Sequence, residues 1–161
     1  MQPVAAGPLR VRSEIVKLPL PELKPGAEDR AEATIAKLSG ATAPPFLEQV
    51  DAFKTVDVLA RKGKPQEVEV QVIALGNEVA WVSLPGEIFT ELGLAIKQAS
   101  PFKSTLIAEL ANGSIGYIPD RKAYVEGNYE VVSARVGAGS GELLVDAAVR
   151  MLRELYRENG R

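Results

Sequence analysis

The chain has 161 residues, a formal net charge of −2, 46% hydrophobic and 25% charged residues. This is the composition of an ordinary globular domain, with no basic field to recruit nucleic acid. It contains neither histidine nor cysteine, so its own residues cannot form a disulfide, a thiolate metal site, a Ser-His-Asp triad or a His-ligated zinc centre.

Residues 1–8 read as a loose arm, with Pro3, Gly7 and Pro8, followed by a single domain over 9–161. No apolar run approaches the roughly 20 residues needed to span a bilayer. The opening MQPVAAGPLRVR lacks a continuous apolar stretch, so no signal peptide is expected. Leu9–Leu18 has the β-branched content of a strand, and Pro19, Pro21, Pro25 and Gly26 end it. Glu28–Leu38 is a short helix candidate, stopped by Gly40 and Pro44-Pro45. Phe46–Lys62 is a stronger one, with Gly63 at its C-terminal cap.

Glu67–Leu75 alternates, with Val68, Val70 and Val72 on one side, and predicts a half-buried strand. Gly76-Asn77 makes a two-residue turn into a return strand, Val79–Leu84. After Leu84-Pro85-Gly86, a helix is expected over Glu87–Ala99, ended by Ser100-Pro101. Thr105–Leu110 predicts a buried strand parallel to Val79–Leu84 through a right-handed crossover. A helical turn over Asp120–Gly127, a strand over Tyr129–Val136 and a final helix from Glu142 to about Arg157 complete the chain. The fold class is therefore α/β: a mixed sheet covered by helices in the order β-α-α-β-β-α-β-(α)-β-α.

Several side chains admit two readings. Glu87 is a metal ligand or general base, or an acid favoured by the positive end of a helix, the commoner case. Tyr117, Tyr124 and Tyr129 donate to an oxyanion or bind a metal as phenolate, or are aromatics with satisfied hydroxyls. A phenol with a pKa of about 10 needs a neighbouring cation to ionise at neutral pH. Gly137–Glu142 has the look of a phosphate cradle at a helix N-terminus but lacks a P-loop lysine, so Ser140 as a helix cap is the favoured reading. Asn112 is a turn former able to orient a neighbouring ligand.

The ordered series LPGE, SPFK, AN-x-x-x-GYIP-x-R-x-AY-x-x-G-x-YE and GAG-x-GE resembles the neutral/alkaline non-lysosomal ceramidase family, above all its bacterial members. The similarity covers roughly Leu9–Leu155, the C-terminal half of that family's catalytic domain. It implies a zinc-dependent amidohydrolase cleaving the N-acyl bond of ceramide-like lipids. In the family, two histidines from the N-terminal half hold zinc together with a Glu and a Tyr that match Glu87 and Tyr117. The tyrosine thought to contact the reacting carbonyl matches Tyr129, and Asn112 and Tyr124 are candidate substrate contacts.

On this reading the chain carries half of a metal site: zinc belongs to the complete enzyme, is not held tightly here, and turnover is not expected from this half alone. Its partners are the missing N-terminal half or further copies of itself, since both strands flanking the Pro-Gly turn are apolar on two faces. Family members are often secreted or periplasmic. The alternative is a non-catalytic binding or self-associating module that keeps the fold.

Overall fold

The computed structural model describes residues 7–158, so most of the arm expected over 1–8 lies outside the described residues. Strand β1 (Leu9–Leu18) leads to helices α1 (Ala27–Ala36) and α2 (Phe46–Ala60). The hairpin β2 (Gln66–Leu75) and β3 (Val79–Ser83) follows, then a two-residue strand β4 (Glu87–Ile88) and helix α3 (Thr90–Ala99). Next come β5 (Ser104–Ala108), a second two-residue strand β6 (Tyr117–Ile118), short helices α4 (Ala123–Glu126) and α5 (Tyr129–Ser133), and the long α6 (Ser140–Glu158).

The four long strands form one mixed sheet in the order β1-β2-β3-β5. β1 and β3 run antiparallel to β2, and β5 runs parallel to β3 as expected. The hairpin turn is three residues, Gly76–Glu78, because Leu75 pairs with Val79. Gly76 supplies the positive φ of 53° on which that turn depends.

Alternation then decides the layers. Val68, Val70, Val72 and Ala74 of β2, with Ala80 and Val82 of β3, are buried on one face. α6 covers that face over β1 and β2, and α3 packs beside it on β5. Leu144, Ala148, Met151, Leu152 and Leu155 recur at three- and four-residue spacing on α6 and are all buried. Three ion pairs fasten α6 to the edge strand: Arg12 with Glu154 at 2.8 Å, Arg12 with Glu158, and Arg150 with Glu14 at 2.6 Å. Helices α1 and α2 pack on each other, and α2 reaches α5 rather than the sheet.

Three expectations need correction. The strand expected over Tyr129–Val136 is instead α5 followed by extended chain. Gly127 and Asn128 both take positive φ, 84° and 81°, which reverses the chain and restarts it helically. The strand preference of Val131 and Val132 yields to the packing of Tyr129. The helix expected from Glu87 begins only at Thr90, because Glu87 and Ile88 are drawn into a parallel pair with Tyr117 and Ile118. Finally, β5 is not buried: Leu106 is 47% exposed. No helix is long and apolar enough to cross a membrane among the described residues.

Candidate functional site

The site is built by the way the Leu84-Pro85-Gly86 turn is stitched to the loop after β5. All three carbonyls of the turn accept backbone N–H groups: Leu84 O from Ala111 (3.0 Å), Pro85 O from Ile115 (2.9 Å) and Gly86 O from Leu110 (3.3 Å). Glu87 N–H then donates to Gly116 O at 3.0 Å and Phe89 N–H to Ile118 O at 3.2 Å. Gly86 is obligatory, since a Cβ there would lie 2.6 Å from Gly116 O. The consequence is a short parallel pair in which Glu87 stands directly opposite Tyr117. It lies at the C-terminal ends of β3 and β5, the end of an α/β sheet where ligands are usually bound.

Tyr129 joins them from α5. Its ring meets Tyr117 edge-on at 5.8 Å and stacks on Phe46 of α2 at 5.7 Å, both favourable geometries for aromatic pairs. Two shallow hollows, of about 320 and 360 Å3, share Glu87 and Tyr117. The first carries Lys54 and Arg135 alongside Tyr129; the second carries Glu91, Glu109 and Glu130. Lys54 is held by Asp51 at 2.6 Å and Arg135 by Asp57 at 3.2 Å. The Glu87 carboxylate, within hydrogen-bonding reach and negatively charged, pushes the Tyr117 phenol above its ordinary value.

The other candidates are not brought into this group. Tyr124 donates its hydroxyl to Val136 O at 2.6 Å, and burial, with a smaller effect from the Glu142 charge, pushes its phenol up to about 12. Its ring lines a separate hollow of about 670 Å3 behind α5. Asn112 is exposed on the loop with a φ of 61°, and lines neither hollow around Glu87. Ser140 is not the helix cap. Gly139, at a φ of 90°, takes that place and accepts the Leu143 N–H at 3.1 Å. The Ser140 hydroxyl is buried without a hydrogen-bond partner among the described residues. Glu142, two residues on, accepts the Arg121 N–H at 2.8 Å.

Phe46, Lys54 and Arg135 were not found by sequence reasoning. Phe46 is one apolar position of a helical stripe, and the two cations sit in no motif. Their place in the site depends on α2 crossing beside α5, which local patterning does not encode.

Glu87 and Tyr117 suit a hard or borderline cation, offering one carboxylate and one phenolic oxygen from adjacent strands. A cation between them would reverse the electrostatic effect that now holds the phenol protonated. Zinc takes three or four protein ligands, and no group of three His, Cys, Asp or Glu able to hold a metal exists among the described residues. The fit is therefore to two positions of a larger ligand set.

No protein-family model matches the chain, and no curated protein matches it. Solved structures do. A neutral ceramidase from Pseudomonas aeruginosa superposes with a TM-score of 0.55 at 19% identity, over 92% of this chain and 29% of that one. A ceramidase complexed with C2 superposes with a TM-score of 0.57 at 21% identity, over 92% of this chain and 31% of that one. This chain thus spans less than a third of the structures it matches, and what it shares with that part of them is the fold.

Proposed function

We propose that this chain carries one half of a zinc-dependent amidohydrolase site resembling that of neutral ceramidase, acting on the N-acyl bond of ceramide-like lipids once a histidine-bearing half is supplied. The observation that carries this reading is the register of the short parallel pair, which sets Glu87 against Tyr117 with Tyr129 packed on the latter. The likeness in fold to two ceramidase structures supports it.

When bound, zinc would supply a Lewis acid for the amide carbonyl and an activated water. The chain's own residues do the rest. Glu87 and Tyr117 would hold the metal, and the Tyr117 proton, favoured beside the Glu87 carboxylate, would pass to solvent on uptake of the cation. Tyr129 donates its hydroxyl toward the oxygen that gains charge, a contribution of roughly 3 kcal/mol when such a donor is well placed. Its ring is clamped between Phe46 and Tyr117, which fixes the direction of that donor. Asn112 and Tyr124 touch only outlying parts of a substrate, Tyr124 through its ring because its hydroxyl is engaged.

The test is replacement of the matching segment of the Pseudomonas enzyme by this chain. The hybrid should take up zinc and hydrolyse N-acyl substrate, and Glu87→Gln or Tyr117→Phe should abolish both. For the chain alone, metal analysis after dialysis should find no stoichiometric zinc; one tightly held zinc per chain would sink the half-site.

A second reading, a non-catalytic module that associates with copies of itself, is favoured by the exposed apolar row across the sheet: Trp81 is 36% and Leu106 47% exposed. Light scattering after size exclusion separates the two. An assembly that survives dilution, together with a hybrid that binds no zinc, selects the module.

A further inference from the structure

Arg135 stands on the extended chain that follows α5. Its neighbours Ala134 and Val136 are both buried, at 1% exposure each. The alternation of extended backbone therefore turns Arg135 the other way, into the hollow that holds Glu87, Tyr117 and Tyr129. Its Nη1 reaches the chain just before Tyr117, 3.7 Å from where a Cβ on Gly116 would stand. The guanidinium is steadied from α2, where Asp57 meets Nε at 3.2 Å.

Asp57 does not neutralise it. The same carboxylate oxygen also serves Arg61, whose terminal nitrogen lies 3.5 Å away. Two guanidinium charges share one carboxylate, so one positive charge is left over. Asp57 engages Nε, while Nη1 and Nη2 of Arg135 make no hydrogen bond or ion pair among the described residues. Those two nitrogens form a planar fork matched to a carboxylate. Other polar groups around the hollow are engaged elsewhere: Lys54 is bound to Asp51 at 2.6 Å, and Ser133 Oγ donates to Glu130 O at 3.1 Å. Nor does Arg135 serve the phenol, since the charges acting on Tyr117 are those of Glu87, Tyr129 and Glu130.

We infer that Arg135 takes a carboxylate on the substrate itself, and that the amide cleaved here is that of an N-acyl amino acid. Such a molecule is a ceramide-like lipid in which the carbon bearing the amide nitrogen carries a carboxylate in place of a hydroxymethyl group. The inference rests on the proposed amidohydrolase site and names its substrate class. Arg135 lines the same hollow of about 320 Å3 as Glu87, Tyr117 and Tyr129, so the charge it holds lies within a few bonds of the reacting carbonyl. The reaction stays a hydrolysis. The water oxygen bonds to the carbonyl carbon, the C–N bond breaks, and both water protons finish on the departing nitrogen. A fatty carboxylate and an amino acid leave. A neutral sphingoid amide would leave the fork to solvent.

The experiment is an NMR titration of the whole zinc-free chain with N-octanoylglycine and with its neutral isostere, N-octanoylethanolamine. The carboxylate ligand should bind roughly tenfold more tightly, and the preference should shrink as salt is raised. Arg135→Gln should bring the two amides to equal affinity and leave the neutral one where it was. Arg135→Lys should keep part of the preference, and Lys54→Gln all of it. Equal affinities in the parent chain, no binding of either ligand, or a preference that follows Lys54 instead would overturn the inference. If Arg135→Gln fails to fold without its Asp57 bridge, the two ligands on the parent chain and on Arg135→Lys still decide the matter. The hybrid with the Pseudomonas enzyme separates this from the metal reading. A hybrid that binds zinc and cleaves both amides with equal kcat/KM refutes the role of Arg135 alone. A carboxylate preference in the chain, beside a hybrid that takes up no zinc, refutes the metal site and leaves the carboxylate site standing.

Discussion

The two faces of the sheet use the same strands and end differently. On the inner face Val70, Val72, Ala80 and Val82 are fully buried beneath α6 and α3. On the outer face Val11, Ile73, Trp81 and Leu106 fall opposite one another across all four strands, from the strand pairings. That row is as apolar as the inner one, yet Val11 is 53% and Leu106 47% exposed. The difference lies in the cover rather than in the strands. α6 brings a continuous apolar stripe to one face, while α1 and α2 pack on each other, and α2 on α5, rather than on the sheet. An apolar strand therefore states what a face can bury, and only the helices available decide whether it does.

The sharpest break in that comparison is Leu152→Ala on α6. The side chain is fully buried against the inner face, so its truncation should cost about 2–5 kcal/mol, read as a lower urea midpoint. A loss under about 1 kcal/mol would mean that α6 is a loose cover and that the two faces differ little.

Next in size is Gly86→Ala. The new Cβ would lie 2.6 Å from Gly116 O and 2.8 Å from Ile118 Cδ1, so the stitching between the two loops must give way at about 1–3 kcal/mol. Because that stitching aligns Glu87 with Tyr117, the variant should also bring the Tyr117 titration back toward its ordinary range. An unchanged midpoint and an unchanged titration would together refute the rigid pairing.

Much of the inner face was legible in the sequence. The alternation of Val68, Val70 and Val72 and the stripe of α6 each report a local period, and the parallel placement of β5 follows from strand–helix–strand order. Leu143, at the margin of the buried arc of α6, is 41% exposed. Of the site, the pairing of Glu87 with Tyr117 was expected from the family resemblance. Its means was not. A two-residue strand has no period to detect, and the β4–β6 pair exists only because the Pro85 turn and the loop before Gly116 share hydrogen bonds. α5 was misread for the same reason: its valines report a strand preference, while two positive-φ residues and the Phe46 ring set the outcome.

The tyrosines extend the comparison to alkaline pH. Tyr124 has a phenol raised to about 12 from the usual 10, chiefly by burial. Its protonated form is favoured in the folded state, so its contribution is complete below about pH 10, where the unfolded phenol begins to ionise, and is lost as pH rises toward 12. Tyr124→Phe should flatten the fall in stability across that window, while removing the hydrogen bond to Val136 O. Tyr117 is raised by Glu87, so in Glu87→Gln its absorbance titration at alkaline pH should move down. If the Tyr117 titration stays put in that variant, the two side chains do not meet in solution.

The smallest effect is expected on the outer face, and it separates exposure from function there. Leu106→Thr places a β-branched residue on a strand whose outer face is open, so it gives up little buried area and no strand preference. The unfolding midpoint should move by no more than about 0.5 kcal/mol, against the several lost at Leu152. The same substitution removes the edge-strand end of an exposed row that includes Trp81, its direct neighbour on β3. If copies of the chain pair through this face, the variant should shift the mass measured at high concentration toward monomer with its stability unchanged. If the mass does not move and the midpoint falls by 2 kcal/mol or more, Leu106 is covered in solution, and the contrast between the two faces of the sheet disappears.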